Sequence, residues 1–96
     1  MNRTVYLTGK VTGVSGKEVK GKFSQMAYQL MAMGYHVAEP IEITDTSKPW
    51  DDVIRTDIKK MLECDEVHLL PDWQDSKAAQ LERDIALRLG MQVVYH

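Results

Sequence analysis

Short apolar runs alternate along this chain with longer stretches in which apolar residues recur every three or four positions. The first run, Thr4 to Leu7, is β-branched and aromatic and reads as a buried strand. Thr8 to Gly16 is a loop with three glycines. A helix follows from about Lys17 to Met33, with Ser15 or Gly16 as its cap. Its apolar stripe is Val19, Phe23, Met26, Ala27, Leu30 and Met33, and Gly34 is a natural residue to end it. Tyr35 to Ala38 is a short second strand, and Glu39 to Lys48 a polar connection holding Pro40. Ser47 can cap a second helix, with Pro49 near its first position and Asp51 and Asp52 in its first turn, running to about Glu63. Glu66 to Leu70 is a third strand and Pro71 to Asp75 a loop. Ser76 can cap a third helix that ends before Gly90, and Gln92 to Tyr95 is the last strand.

Three strand–helix units closed by a strand imply a parallel sheet with right-handed crossovers. The expected fold is α/β: a small flavodoxin- or Rossmann-like three-layer domain, about four parallel strands with helices on both faces. Residues 1–96 form one domain. In such sheets ligands bind beyond the carboxyl ends of the strands. Here those ends lead into the glycine loop, the Glu39 region and the Pro71–Ser76 loop.

Two carboxylates interrupt the apolar stripes. At roughly 100° per residue, with Ala78 as origin, Ile85 falls near 340°, Leu89 near 20° and Glu82 near 40°, inside the stripe. In the second helix, with Trp50 as origin, Ile54 lies near 40°, Met61 near 20° and Asp57 near 340°. Burying an unpaired carboxylate costs several kcal/mol or raises its pKa. Each is therefore either a paired structural acid, with Arg55 or Arg88 as candidate partners, or part of a functional site. Glu82 lies about two turns into its helix, near the loop after the third strand.

Gly9, Gly13 and Gly16 follow a strand and precede a helix, where backbone amides can cradle an anion. Their gaps are too wide for a dinucleotide fingerprint. A Walker A loop is excluded by Val11, where its first glycine would stand, and by Glu18 in place of Ser or Thr. A plain turn is the alternative.

Composition narrows the function classes. The chain has 96 residues, 44% hydrophobic and 27% charged, with net charge −2. That is ordinary globular composition, and no basic surface for a nucleic-acid polymer or an anionic membrane is expected. Lys10, Lys17, Lys20 and Lys22 form a loose cluster that can serve one small anion. Cys64 is the single cysteine, so no internal disulfide is possible and a cytoplasmic protein is expected. No stretch has the apolar length of a membrane span or a signal peptide. Cys64, His36, His68 and His96 lack metal-ligand spacing, so neither metal nor cofactor is expected.

Other residues have simpler readings. Trp50 is expected to pack at the entry of the second helix, whereas Trp73 can either pack or stack on a base. Met26, Met31, Met33 and Met61 read as core or interface packing. His36 and His68 read as satisfied strand histidines, Cys64 as a small buried hydrophobe, and Lys59-Lys60 as a solvated face.

Tyr6-Leu7-Thr8-Gly9 with Gly13, Gly34-Tyr35-His36-Val37 with Glu39-Pro40, Trp50 through Asp57, Cys64-Asp65-Glu66-Val67 with Leu69-Leu70, and Asp75-Ser76 with Leu81-Glu82 and Ala86 recur in order over nearly the whole chain. In this order they resemble the nucleoside 2-deoxyribosyltransferase-like superfamily, including its deoxynucleoside 5′-monophosphate N-glycosidases and a branch of short phage and bacterial proteins. The resemblance implies Glu82 as nucleophile and Asp57 as the acid on the preceding helix. It implies Tyr6, Gly9, Lys10, Thr12, Gly13, Asp75 and Ser76 as substrate contacts. Where the hydrolase branch carries an arginine in its glycine loop, this sequence has Lys10 and Thr12.

The implied reaction cleaves the N-glycosidic bond of a 2′-deoxynucleoside or its 5′-monophosphate, by hydrolysis or by transfer to a second base. The implied partner is a small nucleoside or nucleotide. A homodimer is also implied, because the family's sites lie near subunit interfaces. The alternative is a non-catalytic nucleotide-binding or phage-accessory protein on the same fold.

Overall fold

A computed structural model of the chain describes residues 3–41 and 47–96. Its elements follow the sequence periodicity closely. They are β1 (Thr4–Thr8), α1 (Gly16–Ala32), β2 (His36–Ala38), α2 (Trp50–Leu62), β3 (Glu66–Leu69), a 3₁₀ turn (Trp73–Asp75), α3 (Lys77–Arg88) and β4 (Gln92–Tyr95). The four strands form one sheet in the order β2-β1-β3-β4, with every pair parallel. The expected α/β domain is therefore what the chain forms. The middle of the Glu39–Lys48 connection, residues 42–46, lies outside the described residues.

Local chemistry places the helix ends. Ser15 accepts a hydrogen bond from the Glu18 amide at 3.2 Å, and Ser76 accepts one from the Ala79 amide at 3.1 Å. Each hydroxyl satisfies one of the amides a helix start leaves unpaired. Gly34 ends α1 at φ 96°, a left-handed conformation that glycine adopts without a Cβ clash. The second helix departs from expectation. It starts at Trp50 with Pro49 in the cap position and no side-chain cap, so Ser47 does not cap it.

The sheet has two differently furnished faces. Val5 and Leu7 pack on one face against Val19, Phe23, Ala27 and Leu30 of α1. Tyr6, Val67 and Leu69 pack on the other against Met61 of α2 and Ala79 and Ala86 of α3. Alternation along β1 thus divides the core into two layers. Burying each large apolar side chain contributes about 1.5–3 kcal/mol.

Two sequence expectations shift. Met33 is 71% exposed, because α1 ends before its side chain reaches the sheet. Leu81 and Leu89 are exposed, and the buried stripe of α3 is instead Ala79, Glu82 and Ala86. The small alanines flanking Glu82 let the helix settle close to the sheet, with the carboxylate between them.

The strand order fixes where a ligand can enter. The chain leaves β1 toward β2 on one side, while β3 lies on the other, so the loops after β1 and β3 meet at a topological switch point. Gly9 lies where they touch: a Cβ there would fall 2.8 Å from Leu70 Cβ and 2.9 Å from Asp72 Oδ1. Gly9→Ala is expected to destabilise the chain by about 1–3 kcal/mol through overpacking. A urea titration should show this as a lower unfolding midpoint with an unchanged slope.

Candidate functional site

Tyr6 and Thr8 are two residues apart on β1, so both side chains point to the α3 face. The Tyr6 hydroxyl donates to Glu82 Oε2 at 2.5 Å, and the Thr8 hydroxyl donates to Glu82 Oε1 at 2.8 Å. Glu82 is 1% exposed and Thr8 equally so, while Tyr6 is fully buried. Both carboxylate oxygens are thereby held by strand hydroxyls, and neither arginine considered as a partner is involved. Burial pushes the Glu82 carboxyl up to about 7. The hydrogen bonds from Tyr6 and Thr8 pull it down, and the nearby Asp57 charge adds to the rise.

Asp57 is fully buried on α2. Its Oδ1 accepts from the Ile41 amide at 2.8 Å, whereas its Oδ2 is buried with no hydrogen-bond partner among the described residues. Buried polar oxygens are nearly always paired in proteins, so an open acceptor is a place where a ligand group can bond. The two carboxylates singled out from helix periodicity therefore share one buried region.

A cleft of about 490 Å³ opens where the loop after β1 meets the starts of α2 and α3, and neither Glu82 nor Asp57 is among its lining residues. The loop after β1 contributes Lys10, Val11 and Thr12, α2 contributes Trp50, and the start of α3 contributes Asp75 through Ala78. Thr8, bonded to Glu82, is two residues from Lys10 in this wall. The volume suits a small-molecule ligand. The N-terminus of α3 and the Lys10 and Lys77 side chains give its rim positive character, while Asp75 opposes it.

The lysine cluster expected from the sequence does not assemble as one site. Lys10 lines the cleft, Lys17 and Lys20 are exposed on α1, and Lys22 is ion-paired with Asp72. Lys22 also donates to the Lys10 carbonyl, and Asp72 Oδ1 accepts from the Lys10 amide at 2.9 Å. This brace ties the loop after β1 to the loop after β3. Burial alone would raise the Asp72 carboxyl, but the Lys10 amide and Lys22 hold it below the usual carboxylate range.

Among the residues implied as substrate contacts, Lys10, Thr12, Asp75 and Ser76 line the cleft. Tyr6 instead holds Glu82, Gly9 packs against Leu70 and Asp72, and Gly13 turns the loop at φ 82°. Trp50 does stand at the entry of α2, but it is half-exposed and lines the cleft wall. Trp73 is occupied, with its ring 5.6 Å from Tyr95 and the Arg83 guanidinium 5.1 Å above it. Lys60 leaves the solvated face and donates to the Glu39 carbonyl at 2.7 Å. Cys64 is only partly buried, with its Sγ 3.4 Å from the Lys60 carbonyl.

Sequence reading missed Thr8 as a site residue, although its two-residue spacing from Tyr6 carried the signal. It read Lys22 only as part of the lysine cluster and missed its pairing with Asp72, which depends on how α1 packs against the loop after β3. Among the described residues, no group of three or more His, Cys, Asp or Glu side chains is placed to hold a metal ion. Among these residues, too, no helix is long and apolar enough to cross a membrane.

Fold and site together define a small parallel α/β domain with a buried, hydroxyl-held carboxylate at its topological switch point. The chain belongs to the family described as a domain of unknown function, DUF4406, whose model matches residues 3–95. No curated protein matches the chain.

The raised carboxyl has a thermodynamic consequence. An acid whose folded pKa lies above its ordinary value stabilises the fold fully below the ordinary value, and that contribution is lost as pH rises through the folded pKa. For Glu82 the window runs from 4.5 to about 7. Across it the wild type should lose about 3 kcal/mol relative to Glu82→Gln, which carries no charge. Urea unfolding of both proteins at several pH values measures the difference. Parallel curves would show that Glu82 ionises without penalty.

Proposed function

We propose that this protein is an N-glycosidic-bond enzyme acting on a 2′-deoxynucleoside or its 5′-monophosphate, with Glu82 as nucleophile. The observation that carries the reading is the Glu82 carboxylate, buried and held at both oxygens by Tyr6 and Thr8. An acid with a pKa near 7 is more basic than an ordinary carboxylate, hence a better nucleophile once ionised.

In the first step a Glu82 oxygen bonds to C1′ of the sugar. The bond from C1′ to the base breaks, and the base leaves with its electron pair and takes up a proton. In the second step water attacks C1′, the glycosyl ester breaks, and Glu82 is restored as carboxylate; a second base in place of water gives transfer. Tyr6 and Thr8 orient the attacking group. The open Oδ2 of Asp57 serves to orient a sugar hydroxyl or to assist protonation of the base. The start of α3, with Ser76 and Lys77, and Lys10 across the cleft favour the 5′-phosphate.

A second reading, a nucleotide-binding domain without turnover, is favoured by the 1% exposure of Glu82. Attack on C1′ requires the cleft to open onto the carboxylate, whereas binding in the cleft does not.

Incubating the protein with a panel of deoxynucleosides and their monophosphates, read by chromatography for free base, tests both. The enzyme reading expects base release that falls by a factor on the order of 10³ or more in Glu82→Ala. Nucleotide binding by calorimetry with no free base would instead support the binding domain. For the enzyme, the rate should rise with pH through about 7 as Glu82 ionises. Tyr6→Phe removes a bond to the ionised form and should move that limb to higher pH.

A further inference from the structure

The sheet face opposite Glu82 carries a second buried polar chain, which the proposed reaction does not use. Glu66 and His68 alternate with Val67 on β3 and so point to the α1 side. Arg3 Nε donates to Glu66 Oε2 at 2.7 Å. Glu66 Oε1 lies 2.9 Å from His68 Nε2, and His68 Nδ1 lies 2.8 Å from His96 Nε2. Glu66 and His68 are buried, while His96, just after β4, is exposed. The groups facing His68 are thus Glu66 on its own strand, His96 beyond β4, and Tyr35 before β2, whose ring meets it edge-on at 5.7 Å. Arg3, before β1, reaches it through Glu66.

Proton counting decides how this chain responds to pH. Burial alone would raise the Glu66 carboxyl, but the bonds from His68 and Arg3 keep it below the usual range, so it stays an acceptor. His68 Nε2 must then carry hydrogen. With both rings neutral, His68 Nδ1 accepts a hydrogen bond from His96 Nε2. One added proton is tolerated, because a single hydrogen still lies between the rings. A second proton puts N–H against N–H at a 2.8 Å contact, and the contact must break. Desolvation of the ring at this contact, and then the neighbouring His68, hold His96 below its ordinary pKa.

The contact ends the β3–β4 ladder, where the His96 amide donates to the Leu69 carbonyl at 2.9 Å. The preceding residue, Tyr95, accepts from Arg83 Nε at 2.9 Å and meets the Trp73 ring at a 51° tilt. Trp73 opens the 3₁₀ turn leading into Asp75 and Ser76 of the cleft wall. We propose that the His68–His96 pair is an acid-sensitive clasp: double protonation releases the end of β4 and, through the tilted Tyr95–Trp73 ring contact, loosens the outer wall of the cleft.

Sign follows from linkage. A histidine with a depressed folded pKa contributes stability that is present above its ordinary value of about 6.5 and is lost as pH falls through the lower folded value. The clasp is closed at neutral pH and opens in mild acid.

Amide hydrogen exchange on the full chain at pH 7.5 and pH 5, corrected for intrinsic exchange, tests it. The His96 amide, held by the Leu69 carbonyl, should lose protection on the order of tenfold at pH 5, while core amides such as Val67 keep theirs. In His96→Ala, an exposed position that the core does not depend on, protection at this amide should be equally low at both pH values. Trp73 emission, read in a Trp50→Phe background, should follow the same transition in the wild type and lose it in the variant. Equal protection of the wild type at both pH values would overturn the clasp. So would a pH-dependent loss that persists in His96→Ala, since that would place the titration on another group.

Discussion

Glu82 accepts hydrogen bonds from Tyr6 and Thr8 in a region with almost no solvent access, and much of the fold can be read as what that contact requires. A carboxylate taken out of water needs donors at both oxygens or must give up its charge. The donors come from alternate positions of β1, which must therefore be a strand, with α3 laid over it at the right height. Ala79 and Ala86, three residues before Glu82 and four after it, are fully buried and small enough to allow that approach. Asp57 on the adjoining helix adds a second buried charge, so the protein places two acids where either alone is costly.

The switch point of the sheet lies at the end of β1, where Thr8 holds Glu82. The loops after β1 and β3 meet there, and the Lys22–Asp72 brace with the Gly9–Leu70 contact holds them together. The cleft they leave has the start of α3 on one side and Trp50 on the other. The lysines and the start of α3 that line the cleft are thus brought together by the packing of the loops after β1 and β3.

Strand β3 serves both faces. Val67 and Leu69 support the layer that holds Glu82, while Glu66 and His68 carry the polar chain to Arg3 and His96. Tyr95, next to His96, contacts Arg83 and Trp73, and Trp73 begins the turn that leads into the cleft wall.

The sequence by itself determined the order of elements, the parallel α/β class, the caps at Ser15 and Ser76, and the two carboxylates on buried helix faces. These follow from periodicity and local hydrogen bonding, which act over a few residues. The resemblance read from the ordered motifs added a role for Glu82, and that role is a proposal. Tertiary structure alone decided that Glu82 faces Tyr6 and Thr8 and not an arginine, that Asp57 Oδ2 has no partner among the described residues, and that Trp50 stands in the cleft wall while Trp73 lies tilted against Tyr95. It also decided that Leu81 and Leu89 face solvent, that Lys22 is tied to Asp72 and that His68 meets His96. The reason is one of distance. Tyr6 and Glu82 are 76 positions apart, and Lys22 and Asp72 are 50 apart. No pattern of local spacing encodes which side chains the crossovers bring together, so the carboxylate was visible in the sequence and its partners were not.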